Sequence, residues 1–324
     1  ASDDGTESGH TGRGEDVTYD VVDQERFAEL LPTLPLAGSY TLRSFSRHLD
    51  GLDLFPTPPE RAASRHYRRW ALESAALDLA LRQADLSLGE AVGRDAEPIR
   101  FVVSPNLSGP DDGTADGSPD VTPVLDLLDV HPSMGVKVDA APDWDEDFVA
   151  DLAATGAVEV VDLKAHYEDA AVATEPDPSL YRRVRDGFPE AILEDPGFTP
   201  ATEEILAGAE DRLSWDAPIT SVDDVADLPV TPRWLNCKPS RFGTVESLLS
   251  FLAYCEDEGI SLYGGGQFEL DVGRRQIQHL AALWYPGGPN DVAPPAYNDP
   301  EAAGEPPGSP LSPPGAAAGF GPTG

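Results

Sequence analysis

The chain has 324 residues, 40% of them hydrophobic, and carries 58 acidic against 22 basic residues for a formal charge of −36. A charge of that sign and size repels nucleic acid phosphates and anionic membrane surfaces, so neither is an expected partner. Periodic apolar segments fill most of residues 60–285, which excludes a disordered acidic chain, and no apolar run is long enough for a membrane-spanning helix.

The length predicts about two domains. The first 97 residues read as an α+β unit. Residues 12–22 (GRGEDVTYDVV) are expected to turn into a short strand, with helical spacing at 23–31 and 39–49. Three prolines break the pattern at 52–60. The long helix is predicted over 61–83, where Trp70, Ala71, Ser74, Ala75, Leu77, Asp78 and Leu81 form a stripe of small and apolar residues. Small residues there imply close packing against another element.

From residue 98 the rhythm changes. Short apolar runs occur at 99–104, 134–139, 158–164, 191–196, 212–218, 233–239 and 260–266. Helical stretches fall between and after them, at 120–129, 144–154, 178–187, 200–208, 221–227, 244–258 and 271–284. Seven β–α alternations with near-continuous apolar strands predict a parallel α/β barrel of (β/α)8 type over 98–298, with an eighth strand near 290–294. An open doubly wound sheet is the alternative, but SPNLSGP (104–110) is not the phosphate turn such sheets carry. Residues 108–119 are expected as a disordered or surface loop and 299–324, rich in Pro, Gly and Ala, as a disordered tail.

Only three of the basic residues are lysine: Lys137, Lys164 and Lys238. With the acidic excess, this resembles a proteome adapted to high salt. Cys237 and Cys255 lack metal-type spacing and read as reduced thiols of a cytoplasmic protein. All three lysines fall at predicted strand ends, where barrels of this class gather their chemistry. Arginine would serve equally for solvation, but it cannot easily lose a proton, so retained lysine argues for proton transfer or a Schiff base. Residues two apart on a strand share a face, which pairs Asp162 with Lys164 and Lys137 with Asp139. Asp162, Glu194 and Asp216 would come from three successive strands, and three carboxylates with room for water and substrate suit Mg²⁺. Such a cation takes the charge that develops when an α-proton leaves a carboxylate substrate, and a nearby lysine can remove that proton.

These residues resemble the enolase superfamily, in particular its muconate-cycloisomerase and mandelate-racemase-like branches. GRGEDVTYD (12–20) is similar to the G-x-G-E segment of the capping domain, and ALESAALDLALRQADLSLGEAVG (71–93) to the helix leading into the barrel. Asp162 in VVDLK, Glu194 in LEDP and Asp216 in WDAP match the metal ligands of the third, fourth and fifth strands. Lys238 in LNCKPSRFG matches the acid/base lysine of the sixth, and YGGGQFELDVGRRQIQHLAAL (263–283) the seventh strand and following helix. The resemblance implies a modified TIM barrel with an N-terminal capping domain. It also implies a Mg²⁺-dependent lyase or isomerase acting on a small carboxylate as dehydratase, cycloisomerase or epimerase, with a homo-oligomer expected. Asp139, Gln267 and Glu269 are the expected substrate-binding residues.

The second strand departs from the family pattern. K-x-K becomes Lys137-Val138-Asp139, and the third-strand D-x-N becomes Asp162-Leu163-Lys164. Three readings stay open: Lys164 replaces the missing base, Lys137 is the base, or Lys238 works alone. A Schiff-base aldolase and a catalytically impaired binding or assembly protein are the alternative functions. The family's opening strand and mobile lid are expected to be missing or to lie before Ala1.

Overall fold

The computed structural model describes residues 9–30, 33–108, 118–167, 173–297, 305–315 and 317–321. Helices α1 (Val21–Leu30), α2 (Leu42–Asp50), α3 (Ser64–Ala84) and α4 (Leu88–Val92) precede the first strand. Then come β1 (Val102–Val103), α5 (Thr122–Val130), β2 (Gly135–Asp139), α6 (Glu146–Ala154), β3 (Val158–Asp162), α7 (Pro178–Gly187), β4 (Ile192–Glu194) and α8 (Pro200–Leu206). The series ends with β5 (Leu213–Trp215), α9 (Val222–Ala226), β6 (Trp234–Cys237), α10 (Val245–Glu258), β7 (Ser261–Gly264) and α11 (Val272–Trp284).

The seven strands pair in chain order, every pair parallel. The expected eighth strand does not form. Residues 290–291 take its place with two backbone bonds: Val102 N–H donates to Asn290 O at 2.9 Å, and Asp291 N–H to Gly264 O at 2.8 Å. They link β7 to β1 and close the sheet.

Side-chain alternation sorts the strands into two faces. Val161, Leu193, Leu213, Trp215, Leu235 and Cys237 point outward into the main core beneath the helices. Val160, Ile192 and Tyr263 form a separate small cluster inside the sheet. The residues two further along β3 and β4 are Asp162 and Glu194, so the interior turns from apolar to charged toward the C-terminal strand ends. Asp145, Asp177, Thr199 and Thr244 cap the helices that follow, each accepting a backbone N–H. These caps stop each loop cleanly and hold the strand ends in place.

Residues 12–22 form no strand, contrary to expectation: Val21 and Val22 open α1, and 12–20 are irregular. They lie on α3 instead, where a Cβ on Gly12 would stand 2.1 Å from Ala75 O and one on Gly14 2.0 Å from Ala71 O. The small stripe of α3 therefore exists to admit this segment. Glu15 then reaches across, accepting from Leu270 N–H at 2.5 Å, Asp271 N–H at 3.1 Å and Gly273 N–H at 2.8 Å, and so pins the loop before α11.

The expectation of a disordered tail at 299–324 is corrected wherever the chain is described. Leu311 bridges Ile99, Gly319 bridges Ser87, and Phe320 is buried edge-on against Trp70. One phenylalanine and two backbone bridges suffice to dock a segment whose composition signals disorder. The loop expected at 108–119 falls at 109–117 outside the described residues. No described helix is long and apolar enough to cross a membrane.

Candidate active site

Three of the expected residues meet inside the sheet between β2, β3 and β4. Lys137 Nζ contacts Glu194 Oε1 and lies 3.8 Å from Asp162 Oδ2. Lys137 sits mid-strand in β2 and points inward, so it balances Glu194 and Asp162 rather than its sequence neighbour Asp139. Glu194 Oε2 accepts from Asn236 Nδ2 at 3.0 Å and from the Tyr263 hydroxyl, which also meets Ser214 Oγ at 3.0 Å.

Asp139 is exposed and turns to the other lysine: Lys164 Nζ lies 3.1 Å from Asp139 Oδ2 and 3.5 Å from Asp162 Oδ2. Lys164 stands two residues beyond β3 with a left-handed φ of 51°. Strand alternation does not govern it there. Its backbone N–H donates to Asp162 Oδ1 at 2.9 Å, which fixes the turn.

The third centre is Asp216, one residue past β5. Lys238 Nζ lies 2.8 Å from its Oδ2, and the Tyr167 hydroxyl donates to the same oxygen at 3.1 Å. Arg241, from the turn after Lys238, donates to Asp216 O at 2.5 Å and to Oδ2 at 3.3 Å. Asp195 accepts from Asp216 N–H at 2.8 Å and Ala217 N–H at 3.0 Å, holding this strand end against the previous one.

Gln267 and Glu269 sit in the loop after β7. Gln267 Nε2 donates to the Tyr67 hydroxyl at 2.7 Å, and its backbone N–H to Glu269 Oε2 at 2.6 Å. Both are buried and hold the loop, and Glu269 feels the charge of Lys238.

The electrostatics follow from burial among charges. Burial acts to lower the pKa of Lys137, but Glu194 and Asp162 outweigh it and hold the ammonium well above its ordinary value. Lys164 is raised for the same reason, with burial opposed by Asp162 and Asp139. Burial pushes Glu194 up against the pull of Lys137. Asp195 is pushed well up by burial and by Asp216, Asp162 and Glu194 around it. Asp216 goes the other way: burial would raise it, but Arg241, Lys238 and Lys137 hold it below the usual carboxylate range.

Among the described residues no group of three His, Cys, Asp or Glu side chains has a metal-holding arrangement. The carboxylates are turned onto their lysine and arginine partners. Their chemistry still fits a hard divalent cation, since Asp162, Glu194 and Asp216 offer buried oxygen donors on successive strands. Asp216 Oδ1 and Asn236 Oδ1 are buried acceptors without a hydrogen bond. Arg241 Nη1 is 3.1 Å from that Asp216 oxygen as an ion pair, while its hydrogen bond goes to the Asp216 carbonyl.

Sequence reasoning missed Arg241, Asn236, Tyr263, Asp195 and Tyr167. Asn236 and Tyr263 were accessible through alternation, being inward neighbours of Lys238 and Glu194. Arg241 stood in the quoted LNCKPSRFG without a role. Tyr167 lies in irregular chain where no period indexes it.

Family models match residues 5–91 as the N-terminal and 95–299 as the C-terminal domain of a domain of unknown function, DUF8230. An o-succinylbenzoate synthase of Listeria innocua is 28% identical over 220 residues, covering 65% of this chain and 55% of that protein. The chain thus spans about half the length of the curated relative it matches. Muconate cycloisomerase from Pseudomonas fluorescens superposes with a TM-score of 0.64 at 18% identity, covering 95% of this chain and 86% of that one. A dipeptide epimerase from Methylococcus capsulatus, complexed with Mg ion, superposes with a TM-score of 0.60 at 20% identity over 83% of this chain and 76% of that one. At these identities the likeness shows the fold. The chain belongs to the DUF8230 family and is built on the fold of the enolase superfamily.

Proposed function

We propose that the chain is a cytoplasmic lyase or isomerase that removes a proton α to a substrate carboxylate and passes through the substrate's enediolate. One observation carries the reading: three buried carboxylates end successive strands, with Lys164 and Lys238 on either flank. Asp162, Glu194 and Asp216 would hold Mg²⁺, which supplies positive charge to the substrate carboxylate as its proton leaves. Lys164 and Lys238 follow β3 and β6, three strands apart around the sheet, and so approach a shared substrate from different sides. Lys164 carries its proton at rest because Asp162 and Asp139 favour the ammonium, so it is set to give a proton back. Lys238 is the side chain we assign to proton removal. Lys137 fixes Glu194 and Asp162.

The same charges weigh against a Schiff-base aldolase. Lys164, one of its two candidate amines, is held as the ammonium by Asp162 and Asp139, and neither Lys164 nor Lys238 would need three buried carboxylates to form a Schiff base.

Exchange of α-protons with solvent deuterium, followed by NMR with Mg²⁺ present, tests the proposal. The probes are o-succinylbenzoate, the γ-lactone of muconate and an Arg-Lys dipeptide, each with a proton on a saturated carbon α to a carboxylate. The wild type is expected to label at least one. Lys238→Met should slow that labelling by about 10²–10⁴-fold, the range of a lost general base. Absence of labelling, with Mg²⁺ bound equally by wild type and by a triple variant (Asp162→Asn, Glu194→Gln, Asp216→Asn), would sink it.

A further inference from the structure

The loop after β7 begins on Lys238 and ends at the surface. A Cβ on Gly265 would stand 2.9 Å from Lys238 Cε and 2.8 Å from Asn236 Oδ1, so the glycine lets the loop lie directly on the lysine. Three residues later Phe268 is 69% exposed, and Leu270, two further on, is 78% exposed. Three residues of chain reach about 10 Å at most. The Phe268 ring packs edge-on against Tyr19 at 5.5 Å, and Tyr19 lies 6.1 Å from Tyr67, whose hydroxyl receives Gln267. Arg61 covers Tyr19 at 5.0 Å to the ring centre.

Phe268 also has a φ of 65°. A bulky side chain in the left-handed region is strained, and such strain persists only where surrounding structure imposes it. Here Gln267 N–H on Glu269 and three backbone N–H groups on Glu15 clamp both sides of the residue. The strain brings Phe268 little packing in return, because the ring stays mostly in solvent. An exposed aromatic held rigidly within reach of a buried lysine suits contact with something that arrives there.

We infer that Tyr19 and Phe268 form an apolar rim subsite that takes an aromatic ring carried by the carboxylate substrate, with the carboxylate end inside near Lys238. This rests on the proton-abstraction reading for the inner end of the site. The occupant is the substrate because the rim is continuous with Lys238 through Gly265 and Gln267, and because the clamped loop fixes the ring at a small-molecule distance from the lysine.

The test compares 4-phenylbutyrate with butyrate, which has the same carboxylate and no ring, by calorimetric titration with Mg²⁺ present. The wild type should bind the phenyl acid about 10-fold tighter, as expected for one buried ring. Phe268→Asn keeps a residue that tolerates left-handed backbone, and Tyr19→Ser removes the second ring. Each should cut the preference to about 2-fold and leave butyrate binding unchanged. A preference equal in all three proteins, or no binding of either acid by the wild type, would overturn the subsite. So would a wild-type dimer that Phe268→Asn dissociates in sedimentation, since the rim would then cover a second copy. The two proposals separate cleanly. Loss of deuterium labelling with the ring preference intact removes the proton chemistry alone, and labelling without ring preference removes the subsite alone.

Discussion

The interior layer around Glu194 and the rim at Phe268 lie at the two ends of one short path, and they are built on opposite rules. Inside, Lys137, Asp162, Glu194, Asp216, Asn236 and Lys238 are all buried, and each charge touches an opposite one. At the rim an aromatic ring stands in solvent on strained backbone. A buried charge set is intolerant, because removing one member strands its partner at a cost of several kcal/mol. An exposed ring is replaceable at little cost. The difference separates a fixed chemical centre from a rim free to set selectivity.

The largest expected effect comes from breaking the interior. Asp216→Ala strands Lys238 and Arg241, both buried, and should destabilise the chain by about 3–5 kcal/mol in urea unfolding with chelator present. Asp139→Ala also removes a lysine partner, but the Asp139 side chain is 60% exposed, so the expected loss is under about 1 kcal/mol. Equal losses would erase the contrast between buried and exposed members of the charge set.

The docked tail gives the next effect. Phe320 is buried against Trp70, and its backbone N–H donates to Asp78 Oδ1 at 2.7 Å. Asp78 also accepts from Arg13 N–H at 3.0 Å and pairs with Arg82, so one buried carboxylate joins the tail, the entry segment and α3. Phe320→Ala should cost about 3 kcal/mol, read as a lower urea midpoint, by loss of a buried ring. A midpoint unchanged from wild type would mean the tail adds nothing to the scaffold holding the rim.

A somewhat smaller effect should appear in acid. His279 on α11 is buried with Nδ1 unpartnered, and burial pushes its pKa down to about 4. The unfolded chain, with an ordinary histidine near 6.5, takes up the proton first as pH falls. Stability from this group is therefore complete above about pH 6.5 and drains away down to about pH 4, by up to about 3 kcal/mol. Subtracting the profile of His279→Gln from the wild type should isolate that window. A flat difference would show that acid sensitivity arises in the carboxylate centre instead.

Much of this was legible in the residues, for reasons that also explain the gaps. Alternation in VVDLK and AILEDP put Asp162 and Glu194 on the inner face because the strand period of two leaves no choice once Val161 and Leu193 face the helices. Lysine scarcity pointed to Lys137, Lys164 and Lys238, and all three do lie within 4 Å of the strand-end carboxylates. Pairing was not legible. Lys137 answers to Glu194 across two strands, and Lys164, past the end of β3 on left-handed backbone, reaches Asp139 at the end of the neighbouring strand. The eighth strand failed because residues 290–291 close the sheet with two bonds, too few to leave a pattern. Residues 12–20 alternate like a strand, yet their glycines serve contact with α3.

The smallest effect is the sharpest check on the rim. Phe268→Gly removes left-handed strain worth about 1–2 kcal/mol for an L-residue, while the freer unfolded chain returns about 0.4–1 kcal/mol. The ring is 69% exposed, so little packing is lost with it. The expected outcome is a chain as stable as wild type or about 0.5 kcal/mol more stable, measured by urea unfolding, which no longer prefers 4-phenylbutyrate. Destabilisation by more than about 1 kcal/mol would instead make Phe268 a structural anchor, its edge-on contact with Tyr19 holding the loop against the entry segment. The rim would then belong to the scaffold, and selectivity would have to come from the buried layer itself.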